Sequence, residues 1–413
     1  MSNFFDAIGV ADMEKVHSAV IGWMLSDKCE AFGGEDEGRK IRSELLQKIF
    51  GIKENFEHFD SIDSVLEWKS LDVLIVTTNN SVQKCWLIEN KIKSSQHSDQ
   101  LNRYELIINC PVLLSSKQYK EWDPNSVYDK RLPKNVYVDC NKDYCFLTLI
   151  PEEPQDNKWK NTTYTVLKEG LDHALQNSTL PRNEKHFTIL TEYCECVRNL
   201  CDSLSDFLAH YCQDEFRAYS NVFTDGSLQK EKKSREMVPS GKYASFIRDN
   251  GLETIFQKCF LRKIITNADL SHKVNTLHET RGNAFIDFIN QEKKGDQFGL
   301  PCLIKFGYQF QKGSFKVQIL GEKNSIICPE AFISHWKDNV IPYCKMEGKI
   351  TRINRSQKWQ IPFLSITIKG SDASGWYKHT IDEIKDKWLE SIETCEQMIN
   401  SLIVSAQEHP YVQ

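Results

Sequence analysis

The chain has 413 residues, enough for two or three domains of the usual size, about 100–200 residues each, and carries 52 Lys and Arg against 57 Asp and Glu, a formal net charge of −5. No apolar run reaches the roughly 18 residues of a membrane-spanning helix, and MSNFFDAIGVADMEKVHS lacks the basic start, long apolar stretch and small-residue cleavage site of a signal peptide. The expectation is a soluble, cytoplasmic protein with no membrane partner.

Residues 11–25, ADMEKVHSAVIGWML, place Val16, Val20, Trp23 and Met24 at helical spacing, and RKIRSELLQKIFG predicts a second helix that stops at Gly51. LDVLIVTT and CWLIENKI follow, two β-rich runs joined by NNSVQK, whose Asn79-Asn80 suits a hairpin turn. Residues 96–109 read as a helix, VYVDC and YCFLTLIP as two further strands, and WKNTTYTVLKEGLDHAL as the start of another helix. A long helix is expected over about 184–216. The polar, Gly/Ser/Pro-punctuated stretch 219–241 then reads as a linker or exposed loop between a first domain, 1–218, and a second, 242–413. The second domain combines a helical region (242–268), a hairpin-like LPCLIKFGYQFQKGSFKVQILG, a short helix FISHWKDNVIPYC, a basic strand region and a final helix over 374–405. Its expected class is α+β.

The 14 cysteines are scattered, not set at zinc-site or disulfide-scaffold spacing, which predicts reduced thiols packed as small hydrophobes. In YCECVRNLC, Cys194 and Cys201 share one helix face while Cys196 points elsewhere. Charge is uneven: Lys and Arg minus Asp and Glu gives −10 over residues 1–220 and +5 over 221–413. Within the second half, 349–369 holds Lys349, Arg352, Arg355, Lys358 and Lys369 and no acid. Interleaved with Trp359 and Phe363, this stretch suits a phosphate-binding face, with Arg352, Arg355 and Lys358 as its candidate contacts, or a solvated strand surface.

Side chains alternate along a strand, so Asp72 shares a face with Leu74 and Val76, and Glu89 with Cys85, Leu87 and Lys91. Paired as a hairpin, the two runs bring Asp72, Glu89 and Lys91 to one point. Carboxylates in an apolar strand are costly unless paired or bound to a cation. A hard divalent cation, Mg²⁺ or Mn²⁺, suits the two acids, with the peptide carbonyl of Asn90 as a third oxygen. Lys91 is then placed to orient or deprotonate a water aimed at phosphorus. The same D…ExK spacing also occurs by chance, with Glu and Lys as solvated charges at a strand end. His17 reads as a satisfied interior or surface group. No GxxxxGK[ST], GxSxG, HExxH or strand-following GxGxxG occurs, so nucleotide hydrolysis would need a partner.

LDVLIV, WLIENKI and SDQLNRY, preceded by MEKVHSAVIGWML and followed by CFLTLIP and WKNTTYTVL, resemble in order the PD-(D/E)XK nuclease superfamily, closest to the bacterial branch with an IENK strand and a QLxxY helix. The resemblance covers about residues 11–210. It implies a restriction-endonuclease-like α/β core, a mixed central sheet flanked by helices, joined to the α+β second domain. It further implies Asp72 and Glu89 as metal ligands, Lys91 as the catalytic lysine, Gln100 and Tyr104 beside the active site, and Glu14 of the first helix reaching the metal directly or through water. Two departures bear on substrate shape: Ser70 stands before LD where relatives often have Gly or Arg, and 105–145 is longer than expected.

The implied function is Mg²⁺-dependent hydrolysis of phosphodiester bonds, with DNA ahead of RNA as substrate, in anti-phage defence or DNA repair. The basic second domain would hold nucleic acid or a partner and set when cutting happens, and the chain as a whole is expected to form a homo-oligomer or to meet a partner protein that supplies a trigger. The rival readings are an RNA-directed nuclease and a non-catalytic nucleic-acid-binding or regulatory protein on a nuclease scaffold.

Overall fold

The computed structural model describes residues 3–11, 13–68, 70–94, 100–109, 140–154, 156–178, 183–211, 223–225, 237–239, 252–280, 283–288, 291–298, 303–311, 314–321, 334–344, 348–353, 364–368 and 380–411. The chain divides into two compact units, Met1–Ser205 with Asp249–Leu252, and Asp206–Arg248 with Glu253–Gln413. Among the described residues no helix is long and apolar enough to cross a membrane.

The first unit begins with α1 (Phe4–Ala7), α2 (Glu14–Leu25) and α3 (Glu35–Ile49). α3 starts ahead of the RKIRSELLQKIFG pattern because Glu35, Asp36 and Glu37 fill its first turn, where carboxylates complement the positive end of the helix dipole. Gly51 follows its end at φ +81°, a left-handed position that a Cβ would strain. Next come β1 (Ser61–Trp68), β2 (Leu71–Asn79), β3 (Val82–Lys91), α4 (Gln100–Asn109), β4 (Asn141–Thr148), β5 (Trp159–Thr163), α5 (Tyr164–Asn177) and α6 (Glu184–Tyr211).

The five strands form one mixed sheet in the order β1-β2-β3-β4-β5, antiparallel from β1 to β3 and parallel from β3 to β5. The expected hairpin is present, with Val73 opposite Ile88 through to Asn79 opposite Val82. Its turn residues are Asn80 and Ser81, both at positive φ (48° and 67°), as the tight twist of a two-residue hairpin requires. β1 has no counterpart among the predicted strands, because this half-exposed edge strand interrupts its apolar residues with charge. WKNTT, read as the start of a helix, is instead the strand β5, and the helix begins only at Tyr164. All of VYVDC except Cys140 lies outside the described residues.

β2 and β3 read as near-continuous apolar runs because both sheet faces are covered. On one face, Gly22 lets α2 approach closely: a Cβ there would lie 2.6 Å from Leu66 Cδ2 and 3.4 Å from Val73 Cγ1. On the same side Trp86 packs edge-on to Phe50, with ring centroids 5.0 Å apart. On the other face Leu74, Val76, Cys85 and Leu87 pack with Leu101, Tyr104 and Ile108 of α4. Cys194, Cys196 and Cys201 are all buried in α6, and Cys194 donates to Asp172 at 3.2 Å while Cys196 lies near the Ala11 carbonyl.

His17 is a satisfied interior group. Its Nε2 donates to the Ala11 carbonyl at 2.8 Å, and its Nδ1 accepts from the Tyr193 hydroxyl at 3.1 Å. Burial drives its pKa down to about 4, against the opposing pull of the Ala11 carbonyl and Glu14. The unfolded chain therefore binds the extra proton between about pH 6.5 and 4, and stability falls as pH drops through that window. The expected loss is about 3 kcal/mol at most, at about 1.36 kcal/mol per pH unit. Denaturant midpoints measured from pH 7 to 4 should fall more steeply for wild type than for His17→Gln, and parallel curves would contradict the assignment.

In the second unit β6 (Phe223–Asp225) and β7 (Met237–Pro239) pair antiparallel inside the stretch read as a linker. They are followed by α7 (Glu253–Asn267), β8 (Val274–Thr280), β9 (Asn283–Phe288), β10 (Gln291–Lys294), β11 (Leu303–Gln311), β12 (Ser314–Gly321), β13 (Gly348–Ile353), β14 (Leu364–Ile368) and α8 (Ile381–Glu408). FISHWKDNVIPYC forms π- and 3₁₀-type turns over Trp336–Val340 and Ile341–Tyr343. The sheet runs β13-β14-β12-β11-β9-β8, with β10 added beside β11. The apolar residues of β9, β11 and β12 meet Trp388 of α8, which packs on Phe288, Phe310 and Phe315. α8 starts at Ile381, later than the predicted 374, because Thr380 and Glu383 close a reciprocal capping box there.

Candidate active site

The pleat that sends Leu74, Val76, Cys85 and Leu87 beneath α4 also fixes where the charges emerge. One ladder step beyond the last β2–β3 pair, Val73 with Ile88, the strands reach Asp72 and Glu89 on that same face. Asp72 leaves the ladder there: its Oδ2 accepts the Asn90 N–H at 2.8 Å. Lys91 Nζ lies 2.6 Å from Glu89 Oε1, with the lysine side chain only 9% exposed and the glutamate 1%. Three charged groups are thus gathered at the rim of an apolar layer.

α4 supplies the wall. Gln100 uses its two amide hydrogens to donate from Nε2 to Glu89 Oε1 at 2.7 Å and to the Tyr104 hydroxyl at 2.8 Å. Tyr104 in turn donates to the Ser70 carbonyl at 2.5 Å. Ser70 sits at φ +68° in the turn that leads into Asp72, so this relay ties the two carboxylate-bearing strands to one helix. Gln100 and Tyr104 therefore reach the acids through side chain and main chain.

Asn90 points to the opposite face, as strand alternation demands. Its amide donates to the Glu14 carbonyl and to the Ser18 hydroxyl, both at 3.1 Å, and accepts from Tyr164 at 2.8 Å. Its N–H leaves β3 on the Asp72 side, and the carbonyl of a strand residue leaves by the same edge. The Lys91 carbonyl faces the other way, accepting from Leu149 N–H at 3.1 Å. Glu14, the first residue of α2, turns its carboxylate toward the chain leaving β3: Oε1 accepts from the N–H groups of Ile92 (2.9 Å), Lys93 (3.1 Å) and Ser94 (3.1 Å), and from the Ser94 hydroxyl (2.8 Å).

The acids titrate unequally. Burial raises Asp72 to about 6, against the charge of Lys91 and the Asn90 N–H. Burial raises Glu89 to about 8, with Lys91 opposing and Asp72 and Glu14 reinforcing. For Glu14 burial also pushes upward, but Lys91 and the Ser94 and Ile92 donors outweigh it and its pKa ends below the ordinary value. Lys91 is pushed down by burial, yet the charges of Glu89, Asp72 and Glu14 hold it above the ordinary lysine range. It is an ammonium at neutral pH.

Glu89 Oε2 is buried and has no hydrogen-bond partner. A buried carboxylate oxygen without a donor must carry a proton or meet a cation. Two carboxylates and one main-chain carbonyl form a hard oxygen donor set that fits Mg²⁺ or Mn²⁺, which keep several waters. Among the described residues no three His, Cys, Asp or Glu side chains form a ready metal cluster, so a cation here would lean on water and main chain.

Seven of the residues singled out from sequence, Glu14, Asp72, Glu89, Asn90, Lys91, Gln100 and Tyr104, thus come together. Arg352 lies in β13 of the second unit, and Arg355 and Lys358 lie outside the described residues. Sequence reasoning did not find Ser18, Ser94 and Tyr164. A lone hydroxyl carries no spacing signal, and Tyr164 meets Asn90 only through the β3-β4-β5 order of the sheet. Residues 2–195 match the family model of the PD-(D/E)XK nuclease superfamily. No curated protein and no solved structure matches the chain. Five mixed strands, flanking helices and an Asp72…Glu89-x-Lys91 rim lie inside that span, so the N-terminal unit carries a fold and a motif that agree with the PD-(D/E)XK nuclease superfamily whose model it matches.

Proposed function

We propose that the first unit hydrolyses phosphodiester bonds of DNA with the help of Mg²⁺ or Mn²⁺. The observation that carries this reading is the orphaned, buried Glu89 Oε2 beside Asp72 and the Lys91 ammonium. Asp72, Glu89 and the Asn90 carbonyl would hold the cation, which when bound polarises a phosphoryl oxygen and acidifies a water. Lys91, held charged, acts as a donor and positive charge toward phosphate or the attacking water, since an ammonium with a raised pKa is a poor base. Gln100 fixes the Glu89 carboxylate, and Tyr104 fixes the turn before Asp72. The net positive second half of the chain, with Arg352, Arg355 and Lys358, supplies the charge expected of a nucleic-acid contact.

The test is side-by-side digestion of single- and double-stranded DNA and RNA by the purified full chain, with Mg²⁺, with Mn²⁺ and with chelator. Cleavage of DNA that chelator abolishes is the expected result. Faster cleavage of RNA would replace the substrate, and cleavage indifferent to chelator would remove the cation from the reading.

A further inference from the structure

The first helix of a site of this kind is expected to offer its acid to the cation, but the contacts of Glu14 point inward. Its Oε1 takes three consecutive main-chain N–H groups, those of Ile92, Lys93 and Ser94, together with the Ser94 hydroxyl, and its Oε2 shares that hydroxyl at 3.1 Å. A carboxylate has about four lone-pair sites. All four donor groups converge on Glu14 Oε1 and Oε2 takes only a share of one of them, whereas Glu89 in the same cluster keeps an oxygen with no donor at all. To serve a cation through Oε1, Glu14 would have to abandon successive N–H groups where β3 leaves the sheet.

A second strap joins the same two elements. The Asn90 amide donates to the main-chain carbonyl of Glu14 and to Ser18 one helical turn further, and Tyr164 of α5 holds the amide's oxygen. The strand end 89–94 is therefore gripped on both sides of Lys91 by the first turn of α2, once at Asn90 and once at 92–94. Lys91 lies between the two grips, so its main chain is held on either side. We propose that Glu14 is a positioning residue: its carboxylate anchors the main chain of residues 92–94, and through it the placement of Glu89 and Lys91, without ligating the cation. The metal-affinity part of this inference rests on the reading that Asp72 and Glu89 hold a divalent ion; the anchoring part does not.

Two measurements on the full chain separate them. The first is amide hydrogen exchange over residues 92–94 without metal. Glu14→Ala removes the acceptor and should speed exchange there about tenfold or more, while Glu14→Gln, which keeps an acceptor oxygen, should stay close to wild type. Ser94→Ala, which leaves all three N–H contacts, serves where Glu14→Ala does not fold and should raise exchange by about threefold. The second is calorimetric Mn²⁺ affinity. Glu14→Gln should bind within about threefold of wild type and Glu14→Ala about 10–100-fold more weakly, as for loss of a group that only supports the ligands. Unchanged exchange in Glu14→Ala, or an equal loss of Mn²⁺ affinity in both Glu14 variants, would overturn the anchor. If wild type binds no Mn²⁺ and cuts nothing, the proposed activity fails while the exchange data still decide the anchor.

Discussion

Lys91→Ala is expected to lower cation-dependent cleavage of DNA by about 10²–10³-fold, the usual cost of removing one preorganised charge from a reacting phosphoryl group, while the protein still binds Mn²⁺. The two readouts part because of where Lys91 sits. It lies 2.6 Å from Glu89 Oε1 and is held as an ammonium by Glu89, Asp72 and Glu14. On the proposed reading, removing it deletes a donor toward the phosphate or the attacking water, and at the same time removes a positive charge that repels an incoming cation. Calorimetry should therefore find Mn²⁺ affinity equal to or tighter than wild type near pH 8. Circular dichroism of Lys91→Ala guards against misfolding, since the substitution removes a buried partner 2.6 Å from Glu89 Oε1. A variant that cuts at the wild-type rate would take Lys91 out of the chemistry.

Glu89→Gln carries the second large effect, and its sign reverses with the ligand. Without metal, burial holds the Glu89 pKa at about 8, well above its ordinary 4.5. Between those two values the folded chain binds more protons than the unfolded one, so this group's contribution to stability is present at low pH and is lost as pH rises through about 8. The loss is on the order of a few kcal/mol. Glutamine is the neutral shape without the titration, so metal-free Glu89→Gln should be as stable as wild type at pH 5 and more stable at pH 8.5. With metal the order inverts: Mn²⁺ at 100 times its Kd should stabilise wild type by about 2.7 kcal/mol and the variant negligibly. Because the cation competes with the proton, wild-type Mn²⁺ affinity should climb from pH 6 to 8 and release protons. Denaturant melts at three pH values, with and without Mn²⁺, test all of this. A variant that Mn²⁺ stabilises as much as wild type would exclude Glu89 as a ligand.

The reach of the sequence differs between the two carboxylate strands and everything around them. LDVLIV and CWLIENK announce themselves because both faces of β2 and β3 are buried and the run is apolar until it ends in charge. Alternation puts Glu89 and Lys91 on one face of β3, and the hairpin register brings Asp72 of β2 to the same face beside them. β1 was not legible, since an edge strand needs only one buried face, and SIDSVLEW spends its other positions on charge. WKNTT reads as helix by its continuation into YTVLKEGL, yet pairing with β4 makes it a strand. In the second unit the β11–β12 hairpin was legible from its turn and its alternation, whereas β8 and β9 were not predicted.

The site residues divide in the same way. Spacing four apart on a helix predicts that Gln100 and Tyr104 share a face, but not that one amide would join Glu89 to Tyr104, nor that Tyr104 would end on the Ser70 carbonyl. Glu14 was legible as an acid at the start of the first helix. Its engagement with three N–H groups some 80 positions along the chain was not. The apolar core strands and their charged ends can be read from the amino-acid order alone, because strand alternation and hydrophobic runs are local properties. Only the tertiary structure decided which oxygens are left without donors and which acid faces inward, because both depend on how α2, α4 and α5 pack around the end of β3.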